Sequence, residues 1–545
     1  MNNLKSHKTH FTLVQAIFFF ALLFGTTSVF GQIKEQAVRL NSLKFEEILT
    51  YVDRMYVEDV DSEELTDYAI TMMLEKLDPH TSYISKADVK DANQRIDGNF
   101  VGVGVRFQIL KDTLIVVEAI PGGPSEKLGI RAGDKIIKIE NNLVAGIGLK
   151  NSDVRSKLLG DLGTKVKVEI QRRDSKKLLS FTITRDKIPL NSVDCAYMVT
   201  PKTGYIKLNS FSRPTMDEIQ SAMVILKAQG MENLILDLQN NGGGLLYTAR
   251  DLADEFLEAN KLVVYSEGKH QPRTELKTDR VGSWEKGRLV VLINENSASA
   301  SEIVSGAVQD WDRGLIVGRR TFGKGLVQRP IPLSDGSELR LTVARYYTPT
   351  GRWIQKPYSD LEAYRNDYMD RYLHGEFYNQ DSIKKFPDSL KYVTKIQKRT
   401  VYGGGGIMPD VFVPMDTVGF SDYFRDLVRG GHFNPFALTY VEKNRATLKK
   451  AYPNLEVYKA EFNTDQKFMD SFFKYVKAEQ PDLEFNEAQY LESETLIKIR
   501  LKAILAQDLF GTSAFYEVYN QTDDILLKAI EIIESDQYLN AGLAK

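Results

Sequence analysis

Between Asn294 and Gln328 the chain reads NENSASASEIVSGAVQDWDRGLIVGRRTFGKGLVQ. Ser297, Ser299 and Ser301 sit at the mouth of a predicted helix, and Lys324 follows between Gly323 and Gly325. Gln328 stands four residues beyond the lysine, and the stretch holds no histidine. A serine becomes a nucleophile only when a neighbour removes its proton, and a lysine does that when burial lowers its pKa. The chemistry on offer is therefore that of a Ser-Lys hydrolase. Small residues from Ala298 to Ala307 alone would suit close helix packing, and two glycines alone would suit a turn. It is their combination with one lysine that argues for a site. Residue chemistry by itself does not choose among the three serines.

A second segment, LDLQNNGGGLL from Leu236 to Leu246, joins a predicted strand to a predicted helix through three glycines. Free N–H groups at a helix N-terminus can hold the negative oxygen of a tetrahedral intermediate.

The first segment resembles the carboxyl-terminal processing proteases, a serine-protease family with a Ser-Lys pair. Their S-A-S-A-S-E motif is followed by T-F-G-K-G-x-x-Q. The resemblance implies Ser299 as nucleophile, Lys324 as base and Gln328 as the residue that orients the lysine. It also implies an oxyanion hole in which the N–H of Gly243 or Gly244 pairs with that of Ala300. Gln239 departs from the family pattern, which usually carries arginine there, and this leaves one supporting ion pair open. The segment LDPHTSYIS, Leu77 to Ser85, resembles the family's join between a helical N-terminal region and the next domain. His80 within it reads as a capping or linker residue.

From Asn99 to Thr184 short strands prevail. Val166, Val168 and Ile170 alternate as a strand requires. The GVGV loop and GIRAGDKII, Gly129 to Ile137, together resemble a PDZ domain. Gly102, Val103, Gly104 and Val105 match the loop whose backbone N–H groups hold a ligand's terminal carboxylate, while the ligand adds as a strand.

Strands alternate with helices from about Ile188, which suggests a layered α/β architecture. The strands are expected at Tyr205–Leu208, Leu234–Leu238, Leu289–Ile293, Leu315–Gly318 and Leu339–Tyr347. Helices are expected from Thr215, as N-cap, to Gln229 and from Leu245 to Leu257. The resemblance sharpens the α/β reading to a ClpP/crotonase-like core. The stretch from about Gln355 to Thr400 reads as polar and irregular. GGGGIMPDV, Gly403 to Val411, reads as the strand that closes the core. Phe468, Phe472, Tyr475 and Val476 fall at helix spacing, as do Ile497, Leu501, Ile504 and Leu505. A helical C-terminal extension follows, able to pack on the core, form a dimer or bind a partner.

At 545 residues the chain should form several domains. A net charge of -2 gives no basic excess for nucleic acid. The single cysteine, Cys195, allows no internal disulfide. No metal-ligand spacing is present, so no metal or organic cofactor is expected. Lys5 and Lys8 precede an apolar run, Phe11 to Phe24, and Val29 and Gly31 suit the positions before a signal-peptidase cut. The run is short for a membrane span. A cleaved export signal is expected, with an uncleaved anchor as the alternative; no cysteine follows for lipid attachment.

The expected divisions are a signal peptide (1–31), a helical N-terminal region (32–98), a PDZ domain (99–184), a Ser-Lys core (185–415) and a helical C-terminal extension (416–545). The expected protein is an exported, most simply periplasmic, serine endopeptidase acting on peptides with a free C-terminus, with homo-oligomers possible through its helical regions. The competing reading is a catalytically silent PDZ adaptor. An esterase on a related fold is a third, less suited to a PDZ domain.

Overall fold

The computed structural model describes residues 35–173, 175–383, 386–417 and 419–543. The expected signal peptide, with Val29 and Gly31, lies outside the described residues. Among the described residues no helix is long and apolar enough to cross a membrane.

The chain forms two compact units, divided after Ser85. In the first, residues 35–55 and Ser62–Glu75 are helical, as the spacing of apolar residues predicts. Asp61 caps the second helix by accepting from the N–H groups of Glu63 and Glu64. Beyond it, the Asp78 carboxylate accepts from the N–H groups of His80 and Thr81, each at 2.8 Å. His80 thus lies in a turn built by its neighbour's side chain.

The second unit begins with an antiparallel sheet of Val105–Leu110, Thr113–Ala119, Lys135–Ile139, Lys165–Gln171 and Leu179–Thr184, in that order. Val166, Val168 and Ile170 are fully buried, so the alternation seen in the sequence does mark the inner face. The helix Asn151–Leu158 contributes Val154 and Leu158 to the same core. Asn99–Gly102 pairs with Asp186–Pro189, which brings the two ends of this insertion together. Val105–Leu110 is the edge of the sheet.

The protease core is a six-stranded sheet: Val193–Met198, Thr203–Leu208, Asn233–Asp237, Arg288–Ile293, Leu315–Gly318 and Val411–Phe412. Only the first pair is antiparallel. Its central parallel strands are buried from Asn233 to Asp237 and from Leu289 to Ile293, because helices cover both faces. One face carries the helices Thr215–Ala228, Leu246–Asp254 and Ala300–Asp310. The other is covered from the far end of the chain, by Ile525, Leu526, Ala529, Ile532 and Ile533 of the helix Asp524–Ile533. A second, antiparallel sheet includes Leu262–Gly268, Gln271–Lys277, Leu326–Pro332 and Glu338–Tyr347.

Thr215 is the first helical residue rather than the N-cap; its hydroxyl accepts from the Ser212 N–H at 2.8 Å. The stretch expected to be irregular holds the helix Leu361–Leu373, capped by Asp360. Its exposed polar and aromatic faces hide the apolar period: only Tyr364 and Arg371 are buried.

Residues 422–519 form a helical bundle around Phe433, Phe436, Phe468 and Phe472. Its Leu438 packs on Ile115 and Val117, on the outer face of the edge-proximal PDZ strand. The C-terminal region therefore packs both on the core and on the PDZ domain.

Candidate active site

Ser299 closes the loop that follows the strand Arg288–Ile293 and opens the helix Ala300–Asp310. Its backbone is unusual, with φ 55° and ψ -111°. A non-glycine residue held at positive φ costs on the order of 1–3 kcal/mol and needs its surroundings to fix it. Two groups do so. The Ser299 N–H donates to Glu302 Oε2 at 2.8 Å. The Ser299 carbonyl accepts from the Tyr346 hydroxyl at 3.2 Å.

The same two residues hold the lysine loop. The Lys324 N–H also donates to Glu302 Oε2, again at 2.8 Å. The Lys324 carbonyl also faces the Tyr346 hydroxyl. Glu302 Oε1 takes the remaining donors, Thr321 Oγ1 at 2.5 Å and the Gly323 N–H at 2.7 Å. Glu302 is fully buried, and loss of water pushes its carboxyl up to about 7, against the opposing pull of these four hydrogen bonds. Burial, helped by Glu302, also raises the Tyr346 phenol.

Lys324 Nζ donates to Gln328 Oε1 at 2.9 Å. Gln328 is fixed in the strand Leu326–Pro332, so the pair resemblance had matched is in contact. Arg371 reaches the carbonyls of Arg320 and Thr321 from the helix Leu361–Leu373, which braces this loop from outside.

The glycine loop meets the serine directly. A Cβ on Gly243 would lie 2.8 Å from Ala300 N, 2.8 Å from Ser299 Cβ and 2.7 Å from the Ala298 carbonyl. Only glycine allows that approach, and φ is +97° there. The Gly243 N–H is already used: it donates to Asn241 Oδ1 at 2.9 Å. Among the described residues no acceptor faces the N–H of Gly244 or of Ala300. Of the candidate donors, these two are available to a ligand oxygen.

Behind the loop, Lys207 Nζ pairs with Asp237 Oδ1 at 3.0 Å and donates to the Gln239 carbonyl at 2.8 Å. Tyr205 donates to the other Asp237 oxygen at 2.6 Å. Lys207, on the neighbouring strand, is thus the cation that meets Asp237 beside Gln239. Glu302, Tyr346 and Lys207 were not among the sequence-derived candidates. The S-x-x-E spacing of Ser299 and Glu302 is a capping-box signature and would have marked the glutamate; nothing local marks the other two.

In the PDZ sheet, the carbonyl of Val103 accepts from Ser125 and that of Gly104 from Ile120. The N–H groups of Val103 and Gly104 have no acceptor among the described residues. They precede the open edge strand Val105–Leu110.

The model of peptidase family S41 matches residues 202–361, and a PDZ-domain model matches 115–172. A family of unknown function matches 423–511, within the helical bundle. A "Probable CtpA-like serine protease" of Staphylococcus aureus (strain N315) is 34% identical over 346 residues, 63% of this chain and 68% of that one. The chain belongs to the carboxyl-terminal processing protease family. It is a serine-type peptidase carrying a PDZ domain. Among solved structures, the photosystem II D1 C-terminal processing protease is 32% identical, over 57% of this chain and 89% of that one, with a TM-score of 0.33. The PDZ domain of a carboxy-terminal protease from Vibrio cholerae, solved in complex with peptide, is also 32% identical. It matches 17% of this chain and 99% of its own, with a TM-score of 0.16. As a member of this family, the chain joins its peptidase core and PDZ domain to a helical bundle that neither of those two family models spans.

Proposed function

We propose that this peptidase is an exported endopeptidase that engages substrate C-termini through its PDZ domain and cuts with a Ser299–Lys324 dyad. The observation that carries the reading is the shared Glu302 oxygen, which fixes the serine and lysine backbones to one point. Neutral Lys324 takes the proton from Ser299 Oγ as that oxygen attacks the substrate carbonyl. Gly244 and Ala300 N–H groups receive the developing oxyanion. The Lys324 ammonium then gives its proton to the departing amine, leaving an acyl-serine. Water attacks that ester, with Lys324 again accepting the proton. Gln328 holds the lysine side chain by its Oε1 throughout.

At the PDZ domain, Val103 and Gly104 offer N–H donors to a terminal carboxylate, flanked by Gly102 and Val105. The preceding residues of the substrate add to the edge strand Val105–Leu110. Export rests on the charged and apolar pattern of residues 5–31, with a periplasmic location the simplest destination. A silent adaptor would have no use for a lysine and serine held on one buried carboxylate.

Labelling with a fluorophosphonate probe tests the dyad. Wild type should label and Ser299→Ala should not. Equal labelling of both would remove Ser299 from its role.

A further inference from the structure

The glycine loop begins with Gln239, a residue 7% exposed and held through its N–H, its carbonyl and its side-chain Nε2. Its N–H donates to Asp237 Oδ1 at 2.7 Å, and its carbonyl accepts from Lys207 Nζ at 2.8 Å. Its side-chain Nε2 donates to Asp523 Oδ2 at 3.0 Å. Asp523 lies 284 residues further along the chain. Its other oxygen, Oδ1, accepts from the Leu526 N–H at 3.0 Å and so caps the helix Asp524–Ile533. One carboxylate therefore joins the last layer of the fold to the start of the oxyanion loop.

The connection continues into the serine loop. Asn240, at φ 58°, donates its N–H to Asn294 Oδ1 at 2.9 Å. Its own Oδ1 accepts from Asn294 Nδ2 at 2.9 Å and Asn296 Nδ2 at 3.0 Å. Both asparagines lie on the way to Ser299. The helix does not need Gln239 to stay in place, since five apolar residues from Ile525 to Ile533 already bury it against the sheet. The Gln239–Asp523 bond thus acts on the loop more than on the helix.

We infer that Asp523 is a positioning residue for the peptidase reaction, acting through Gln239 to hold the loop that presents the Gly244 N–H. This rests on the Ser299–Lys324 reading above. It gives the C-terminal helix, which lies outside the residues matched by the peptidase family model, a part in catalysis.

The test uses the full chain and a peptide substrate, with Asp523→Ser, Asp523→Asn, Gln239→Leu and the double variant Asp523→Ser/Gln239→Leu. Serine keeps the N-cap but is too short to reach Gln239; asparagine keeps the cap through its Oδ1 but turns an amide N–H toward the Gln239 Nε2 donor. Asp523→Ser and Gln239→Leu should each lower kcat about tenfold, the worth of one buried hydrogen bond, with KM within about twofold of wild type. The double variant should be no worse than Gln239→Leu alone, because that change already removes the Asp523 bond together with the longer Nε2 contact to Asp237 Oδ2 at 3.4 Å. Asp523→Asn should lose kcat to about the same extent as Asp523→Ser, because it keeps the cap but not the acceptor for Gln239. Thermal unfolding of Asp523→Ser near that of wild type would show the cap intact. Wild-type kcat in Asp523→Ser, or losses that multiply in the double variant, would overturn the inference. Activity surviving in Ser299→Ala would instead overturn the dyad, and the inference with it.

Discussion

Ser299 and Lys324 are joined through their backbones: both N–H groups donate to Glu302 Oε2 at 2.8 Å, and both carbonyls face the Tyr346 hydroxyl. The two loops come from different strands, yet neither can shift without breaking a bond to a buried group. Such sharing sets the dyad geometry before substrate arrives, which is where much of an enzyme's rate advantage originates.

Removing the base should remove the reaction. Lys324→Ala should lower kcat by about three orders of magnitude, at the level of a lost general base. Lys324→Arg should do the same, because arginine stays protonated. Steady-state kinetics on a peptide decide it, with far-UV circular dichroism to confirm the fold. Substantial activity in Lys324→Arg would point to another base and make His80 and His270 the next residues to replace.

Glu302 should make stability and activity run in opposite directions with pH. Its carboxyl is raised from an ordinary value of 4.5 to about 7 by burial. The folded state therefore binds the proton more tightly than the unfolded chain. Its contribution to stability is fully present below the ordinary value and is lost as pH rises through about 7. The site needs the opposite form, since four donors converge on the carboxylate. Activity should therefore fall below about 7. In Glu302→Gln, denaturant midpoints should vary less with pH across this window than in wild type. The acid limb of log kcat against pH should become shallower, and kcat should drop about tenfold or more, because an amide N–H would oppose a donor. An unchanged acid limb would show that Glu302 does not titrate there.

Gly243 is the position where a single methyl group should separate folding from catalysis. A Cβ there falls 2.8 Å from both Ala300 N and Ser299 Cβ, and φ is +97°. Gly243→Ala should lower kcat about a hundredfold or more by moving Ser299 or blocking the oxyanion site. It should cost about 1–3 kcal/mol of stability for the strained backbone. Urea unfolding and kcat measured on one preparation give both numbers. Near-normal kcat would mean the loop yields without disturbing the serine.

Much of this was legible in the chain because the informative residues sit close together. The buried runs Leu234–Leu236 and Leu289–Ile293 read as unbroken apolar stretches, and Lys324 and Gln328 lie four residues apart on one loop and strand. What stayed hidden depends on distant partners. Nothing local to Tyr346 says that its hydroxyl will meet two loops, and nothing near Lys207 says that it will pair with Asp237 and hold the Gln239 carbonyl. The helix Leu361–Leu373 escaped notice because its buried residues include Arg371, whose guanidinium is satisfied by Glu376 and by the carbonyls of Arg320 and Thr321. A buried arginine breaks the apolar period on which helix reading depends.

The PDZ loop should discriminate by the charge on a substrate's last residue. Val103 and Gly104 present N–H groups with no acceptor among the described residues, at the start of an open edge strand. Hydrogen bonds to a charged acceptor are worth about 1.5–3 kcal/mol each, so a free carboxylate should gain clearly over a carboxamide. An amidated peptide should be cleaved about tenfold more slowly, in kcat/KM, than its free-acid twin at the same concentration. Val103→Pro removes one donor at this loop and should shrink the difference. How the loss divides reports the domain's role: a tether mainly raises KM, whereas a gate also lowers kcat. The packing of Leu438 on Ile115 and Val117 gives the domain a fixed seat on the bundle. A seated domain whose loop senses the ligand can pass that binding to the core only by shifting on this seat, so a fall in kcat should accompany the rise in KM. Equal cleavage of the amidated and free peptides by the intact enzyme would end the idea that this loop reads a C-terminus.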